Sequence, residues 1–509
     1  MTGRAAAPHA HPPRSVRFVR NVGASIAGQV GLLLLSFFLT PRLIKALGVE
    51  TYGLYILFQA ALGYVALFYF GAGNSGLKFV AEYATRGGRG LRQAVGYCFG
   101  IHIIGSLIGA LALGWLAPVL ALRLFHVPAP LLGPAVFVLR CAAAAAVFVS
   151  INQCSGAILG GLQRFDWQNA ATFAQNGLLI VGATALAVHH FGINGVGRWY
   201  VLWNACVLAI PLYGLWRLLR ERWPGAEGHL PFRRFLSFGL SLWTGQFAWL
   251  ITFQFDRLFI ARAQSLSALT FYSVPANLLQ RLQFFPAVVS TVLVPMFSEI
   301  AHDDDETVRR VYLRGMRFLL FMILPVLVLL FCLMPQFLGL WLGGGFSSVS
   351  VWPARLLVLA QAFLLLNYIP NAVVGGRGQP LHQSAVAWAQ AIISVTAWGL
   401  LIGRLQLLGV ALGSLLAQMI PTCAYLAATH RRLLKLPLSR FLDEGLTRPL
   451  ACAGLLLAFV FPLHEAASTW PRLLGLGAGA GALYAALSWY AMEAGDKELF
   501  RKLVLRRAA

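Results

Sequence analysis

Hydrophobic residues fall into runs of about twenty along the whole chain, separated by short clusters of Gly, Pro and charged residues. A helix of about 20 residues crosses a hydrocarbon core of roughly 30 Å, so each run predicts one membrane crossing. The runs cover residues 20–40, 52–72, 95–117, 133–160, 168–189 and 196–217, then 235–260, 269–297, 317–342, 352–374, 383–403 and 408–429, and finally 449–464 and 472–491. The expectation is an all-α polytopic membrane protein with about 14 transmembrane helices. The segments between the runs are too short to hold a soluble catalytic or nucleotide-binding domain.

Composition excludes the alternatives. Of 509 residues, 59% are hydrophobic and 11% charged, and the mean hydropathy is +0.72, which suits neither a water-soluble core nor a disordered chain. The 40 Lys and Arg against 17 Asp and Glu give a net charge of +23, and these charges sit in the short connecting segments. With both termini placed in the cytoplasm, 29 of the 40 fall on inward segments and 9 on outward ones; Arg140 and Arg281 complete the total. The positive-inside rule therefore predicts two cytoplasmic termini, and the basic excess reads as topology and contact with anionic lipids, with no nucleic acid partner.

The first 20 residues are rich in Arg and Pro, and no small-residue cleavage site follows the first apolar run, so that run is read as an uncleaved span. The seven cysteines are dispersed, with no disulfide framework and no CxxC pair. No GxxxxGK[ST], HExxH or GxSxG motif occurs. The expectation is a protein that is not an enzyme and that holds no cofactor and no metal.

The chain also matches itself at an offset near 215. Asn152, Gly160, Gly161, Gln168 and Gln175 fall on Asn367, Gly375, Gly376, Gln383 and Gln390. At shifts one or two residues longer, Ser25, Ser36 and Thr40 fall on Ser241, Thr252 and Asp256, Gly28 and Gln29 on Gly245 and Gln246, and Glu82 and Arg92 on Glu299 and Arg309. A repeat of six spans enters the membrane from the same side in both copies, so two pseudo-symmetric six-helix lobes should face each other around a cavity suited to alternating access. The expected organisation is a cytoplasmic tail at 1–19, an N-lobe at 20–225, a C-lobe at 226–440, two further helices at 441–492 and a basic cytoplasmic tail at 493–509.

Several stretches carry a family resemblance. Thr40-Pro41-Arg42-Leu43-Ile44, Ala46-Leu47-Gly48 and Tyr52-Gly53-Leu54-Tyr55 are similar to the first hairpin of polysaccharide flippases. Phe70-Gly71 with Lys78 and Ala81, Asp256-Arg257, Tyr272-Ser273-Val274-Pro275-Ala276 and Pro295-Met296-Phe297-Ser298 resemble the same group, in the same order. The chain resembles, over residues 20–492, the Wzx-type flippases of the multidrug/oligosaccharidyl-lipid/polysaccharide exporter superfamily. The resemblance implies translocation of an undecaprenyl-pyrophosphate-linked O-antigen or exopolysaccharide repeat unit across a bacterial inner membrane, with polysaccharide polymerase or assembly machinery as a further partner. A cation-coupled small-molecule antiporter of the same superfamily is the alternative.

Candidate chemistry follows from polar residues inside apolar runs. Arg281 falls near the midplane of its run, where an Arg costs at least about 2.5 kcal/mol unless it meets water or a partner. It shares a helical face with Asn277 and Gln280, and these three are candidate substrate contacts; the other reading is an Arg paired inside the protein. Arg140 either extends the cationic lining or snorkels to the outer interface, and Arg355 reads as an interfacial anchor. Asp256 alone among the acidic residues lies inside an apolar run, following Ser241, Thr244, Gly245, Ala248 and Thr252, and is the candidate for coupling to protons or sodium.

Other features read blandly. His102 lacks a second metal ligand at useful spacing, and Asp303-Asp304-Asp305-Glu306 reads as a solvated run ahead of a helix near Thr307. Gly71-Ala72-Gly73-Asn74-Ser75-Gly76 reads as a helix break. Pro275, Pro286, Pro295, Pro325 and Pro335 suggest kinked helices.

Overall fold

A computed structural model describes residues 14–85, 87–220, 228–300, 305–377 and 380–493, together with 495, 497 and 498. The tail up to residue 13, Asp303 and Asp304, and most of the basic tail from 494 onward lie outside the described residues. All regular structure among the described residues is helical, as the apolar runs require: in hydrocarbon each backbone N–H needs a partner within its own segment.

The chain divides into two compact units, up to Trp243 and from Thr244. The first contains α1 (Arg14–Leu47), α2 (Val49–Val65), α3 (Ala72–Tyr83), α4 (Gly88–Val119), α5 (Ala129–Gly161), α6 (Phe165–Phe173), α7 (Leu179–Val188), α8 (Gly192–Val207), α9 (Ala209–Leu219) and most of α10 (Phe232–Gln254). The second contains the end of α10, α11 (Asp256–Ala263), α12 (Leu266–Gln280), α13 (Phe284–Glu299), α14 (Asp305–Leu342), α15 (Gly344–Leu366), α16 (Tyr368–Gly376) and α17 (Pro380–Ala428). It ends with α18 (Leu438–Arg440), α19 (Arg448–Leu463) and α20 (Trp470–Ala491).

Eleven helical segments among the described residues are long and apolar enough to cross a membrane. One of them, 382–434, contains all but the first two residues of α17, which folds back at Gln406, where φ is +50°. Its two arms run antiparallel: the Trp398 indole N–H donates to the Val410 carbonyl at 3.1 Å, and a Cβ at Gly409 would lie 2.4 Å from the Leu401 carbonyl oxygen. The apolar runs at 235–260 and 269–297 are helical but interrupted. The first is cut at Phe255, where the Asp256 carboxylate accepts the Arg257 N–H at 2.8 Å. The second is cut by a tight turn at Arg281–Gln283. Pro286 supplies a cause there, since it cannot donate to residue 282 and its ring crowds that carbonyl.

The core of the first unit joins α3, α4, α5, α9 and the start of α10 through Phe79, Leu91, Ile158, Leu159 and Phe235. The Gly71–Gly76 stretch does break the helix, and it opens α3: Phe70 and Gly71 both have positive φ, at 46° and 70°. A Cβ at Gly71 would sit 2.2 Å from the Gly239 carbonyl oxygen, so only glycine lets α10 approach this closely. In the second unit α19 and α20 pack on α14 through Cys332, Leu333, Leu456, Val460 and Tyr484.

Candidate functional site

The polar residues of the second unit gather where α10 gives way to α11. Thr252, Asp256, Tyr272, Gln280, Gln361 and Gln418 contribute to the lining of a cavity of about 30 Å³, room for about one water or a bare ion. Asp256 is 5% exposed; its carboxylate accepts the Arg257 N–H and shares the cavity wall with Tyr272. Tyr272 also lies 3.3 Å from Ser414 Oγ, which bonds the Trp398 indole at 3.1 Å.

Arg257, equally buried, turns its guanidinium away to Gln254 and to Asn277 Oδ1, the latter at 2.6 Å. A buried carboxylate and a buried guanidinium are thus adjacent in sequence, yet each has its own set of polar partners. Charges withdrawn from water persist only where such partners replace the solvent.

Sequence places Asn277, Gln280 and Arg281 on one face; the structure distributes them. Asn277 holds Arg257, and Gln280 lines the Asp256 cavity. Arg281 starts the turn that ends α12, is exposed, and among the described residues has no hydrogen-bonding or ionic partner. Arg140 on α5 is likewise exposed and without such a partner among the described residues. Arg355 is more than an anchor: its Nε donates to the Phe331 carbonyl at 2.9 Å and its guanidinium covers the Phe331 and Trp352 rings. Arg257 and Tyr272 join the cluster although their types gave no signal beyond their motifs. Gln361 and Gln418 were hidden because amides in apolar runs occur throughout the chain.

The repeat read from the sequence reappears as chemistry. In the first unit Gln175 Nε2 donates to Asn204 Oδ1 at 2.8 Å; in the second Gln390 Nε2 donates to Gln418 Oε1 at 2.9 Å. Asn152 donates to Gln175, and its counterpart Asn367 donates to Thr422 Oγ1 at 2.8 Å. Gln175 and Gln390 thus each donate to a buried amide of their own unit, whereas Asn152 meets Gln175 and Asn367 turns to Thr422 instead.

Two bland readings need correction. Asp305 and Glu306 do open a helix, α14, but they are not merely solvated: Glu306 pairs with Arg440 at 2.5 Å, and Asp305 lies 3.6 Å from Lys435 and 3.9 Å from Arg377. Basic residues at the ends of neighbouring segments converge there in the fold. His102 is not alone either, because Cys98 one turn earlier and Cys154 from α5 come within reach of it.

Residues 18–301 match the family described as polysaccharide biosynthesis protein. The chain belongs to that family. Asp256, Asn277, Gln280, Arg281 and Arg140 all lie inside the matched region of this polysaccharide biosynthesis protein. No curated protein matches the sequence. Among solved structures, the lipid II flippase MurJ in an inward closed conformation resembles it with a TM-score of 0.65 at 14% identity, covering 96% of this chain and all of that one. An inward-facing multidrug resistance MATE family transporter of the MOP superfamily follows at 0.63 and 16%, covering 79% of this chain and 95% of that one. At such identities the likeness is one of fold. This family member is a multi-pass membrane protein with the architecture of these transporters.

Proposed function

We propose that the protein is a flippase for lipid-linked oligosaccharides. It moves undecaprenyl-pyrophosphate-linked O-antigen or exopolysaccharide repeat units from the cytoplasmic to the periplasmic leaflet of a bacterial inner membrane by alternating access. The observation that carries this reading is Arg281: an exposed guanidinium without an acceptor among the described residues, at a helix break in an apolar stretch of a polysaccharide biosynthesis protein. A cation there is costly in hydrocarbon and suits a pyrophosphate, to which guanidinium binds in bidentate fashion. Arg140, a second exposed cation in the family-matched region, is a further candidate contact. In this reading fourteen crossings leave both termini in the cytoplasm, where basic segments meet anionic lipids, and the product passes to a polymerase or assembly machinery.

Asp256 supplies the coupling to a proton or sodium gradient. The same buried carboxylate favours a second reading, a cation-coupled antiporter of small molecules. The test is the location of the lipid-linked repeat unit in spheroplasts of a deletion strain, probed with a membrane-impermeant lectin or glycosidase with and without the gene restored. Accessibility only on restoration supports the flippase. Equal accessibility in both strains, with expression verified and redundant flippases removed, refutes it and leaves the antiporter.

A further inference from the structure

Away from the Asp256 cavity, three metal-ligating side chains meet in the interior of the first unit. Cys98 and His102 stand one turn apart on α4, and Cys154 comes from α5. The two sulfurs are 3.2 Å apart, and the Cys98 sulfur is 3.8 Å from His102 Nδ1. One donor atom from each residue lies within 4.8 Å of the others. All three side chains are buried, at 0%, 2% and 0% exposure.

The surroundings leave room for sulfur and hold the ring. A Cβ at Gly76 would lie 2.6 Å from Cys98 Sγ, so α3 carries no side chain where that thiol projects. The Tyr69 ring packs on His102 at 5.0 Å between centroids, and Ser150 Oγ donates to the His102 carbonyl at 3.0 Å. The thiols have only weak partners: Cys154 points to the Cys98 sulfur, and Cys98 reaches the Ala72 carbonyl at 3.5 Å.

We propose that Cys98, His102 and Cys154 form a binding site for a thiophilic divalent d10 cation, the class of Zn²⁺ and Cd²⁺. Metal–sulfur bonds of about 2.3 Å in a tetrahedral site set the sulfurs roughly 3.8 Å apart, so they must separate by about half an ångström. On binding, the two thiols release two protons and form two metal–sulfur bonds, while neutral His102 gives a lone pair. The Nδ1 proton, now directed at the Cys98 carbonyl 2.9 Å away, resides on Nε2 in the bound form. Two thiolates cancel the charge of a divalent cation, so the buried complex is neutral. A monovalent cation would leave a net negative charge in an apolar interior, which selects against it. Three protein ligands leave a fourth position for a small exogenous ligand.

The experiment uses the reduced, full-length protein in detergent micelles, titrated with Cd²⁺. The readouts are the thiolate-to-cadmium charge-transfer absorbance, cadmium retained after desalting, and the melting temperature. The expected result is one cadmium per chain, an upward melting shift and weaker binding as pH falls. The exposed-thiol variants Cys206→Ser and Cys423→Ser should retain the site, Cys98→Ser/Cys154→Ser should lose it, and Gly76→Ala should weaken it at least tenfold. Because the double variant disturbs the core, the unaltered protein provides a second measurement: near the melting temperature, where the metal-free protein exposes both thiols to alkylation, cadmium should protect Cys98 and Cys154, read by peptide mass spectrometry. Cadmium uptake unchanged in the double variant, or alkylation of these two thiols unchanged by cadmium, overturns the proposal.

Discussion

Replacing Asp256 separates its charge from its packing. Asp256→Ala leaves the Arg257 N–H without its side-chain acceptor in a buried site. A buried donor left unpaired costs about 1–3 kcal/mol. Tyr272 keeps its bond to Ser414 at 3.3 Å, and the void left by the deleted carboxylate adds to the cost, so the expectation is about 2–4 kcal/mol. Asp256→Asn keeps an oxygen of the same shape and loses only the charge assistance, about 1–2 kcal/mol. Thermal melting in detergent, followed by intrinsic fluorescence, should therefore rank wild type above Asn and Asn above Ala. The transport assay in spheroplasts, run with and without a protonophore or a sodium gradient, should give another pattern: Asp256→Asn folds but loses gradient-dependent translocation. Wild-type transport and gradient dependence in Asp256→Asn would refute the coupling role and leave Asp256 as the cap of a helix break. Melting of Asp256→Ala at the wild-type temperature would refute the hydrogen-bond argument itself.

Further outcomes test other parts of the structure. Arg281→Ala should abolish translocation without lowering the melting temperature, and Arg281→Lys should restore only part of it, because an ammonium cannot make the bidentate contact. Gln390→Leu should cost about 1–3 kcal/mol by leaving the Gln418 amide oxygen unpaired, and Gln175→Leu should cost more, since it deprives both Asn152 and Asn204; melting temperatures decide the order. Burial works to raise the Glu493 carboxyl, but hydrogen bonding to Arg317 and the charges of Arg317, Arg448 and Arg314 hold it below its ordinary 4.5. A depressed carboxyl stabilises the folded state above its unfolded value and loses that effect as pH falls through the lower folded one. Acidification should accordingly lower the melting temperature more in wild type than in Glu493→Gln.

The sequence-to-structure correspondence is uneven for physical reasons. Apolar runs were legible because the bilayer imposes their length, and the match of Gln175 with Gln390 was legible because each donates to a buried amide of its own unit. The breaks at Phe255 and Arg281–Gln283 were not, since Asp256, Arg257, Gln280, Arg281 and Gln283 read equally well as polar residues inside continuous spans. Cys98 and His102 have a spacing that a helix makes adjacent, but Cys154 joins them only through the packing of α4 on α5. Arg317 and Glu493, hydrogen-bonded across 176 positions, had no sequence signal at all. Arg281 was legible as an expensive residue; its exposure and its lack of a partner among the described residues required coordinates.

The reversal at Gln406 also bears on biogenesis and on how topology can be mapped. With Leu401 and Gly409 in backbone contact and a single residue carrying the turn, the two arms of α17 have no slack between them. Nascent chain leaving a translocation channel would have to partition into lipid as one helical hairpin, the second arm following before the first has settled. An epitope or reporter placed between Arg404 and Leu408 would prise that hairpin apart and report on a damaged protein. The exposed turn around Glu465 and Ser468, between α19 and α20, is the better place for such a tag.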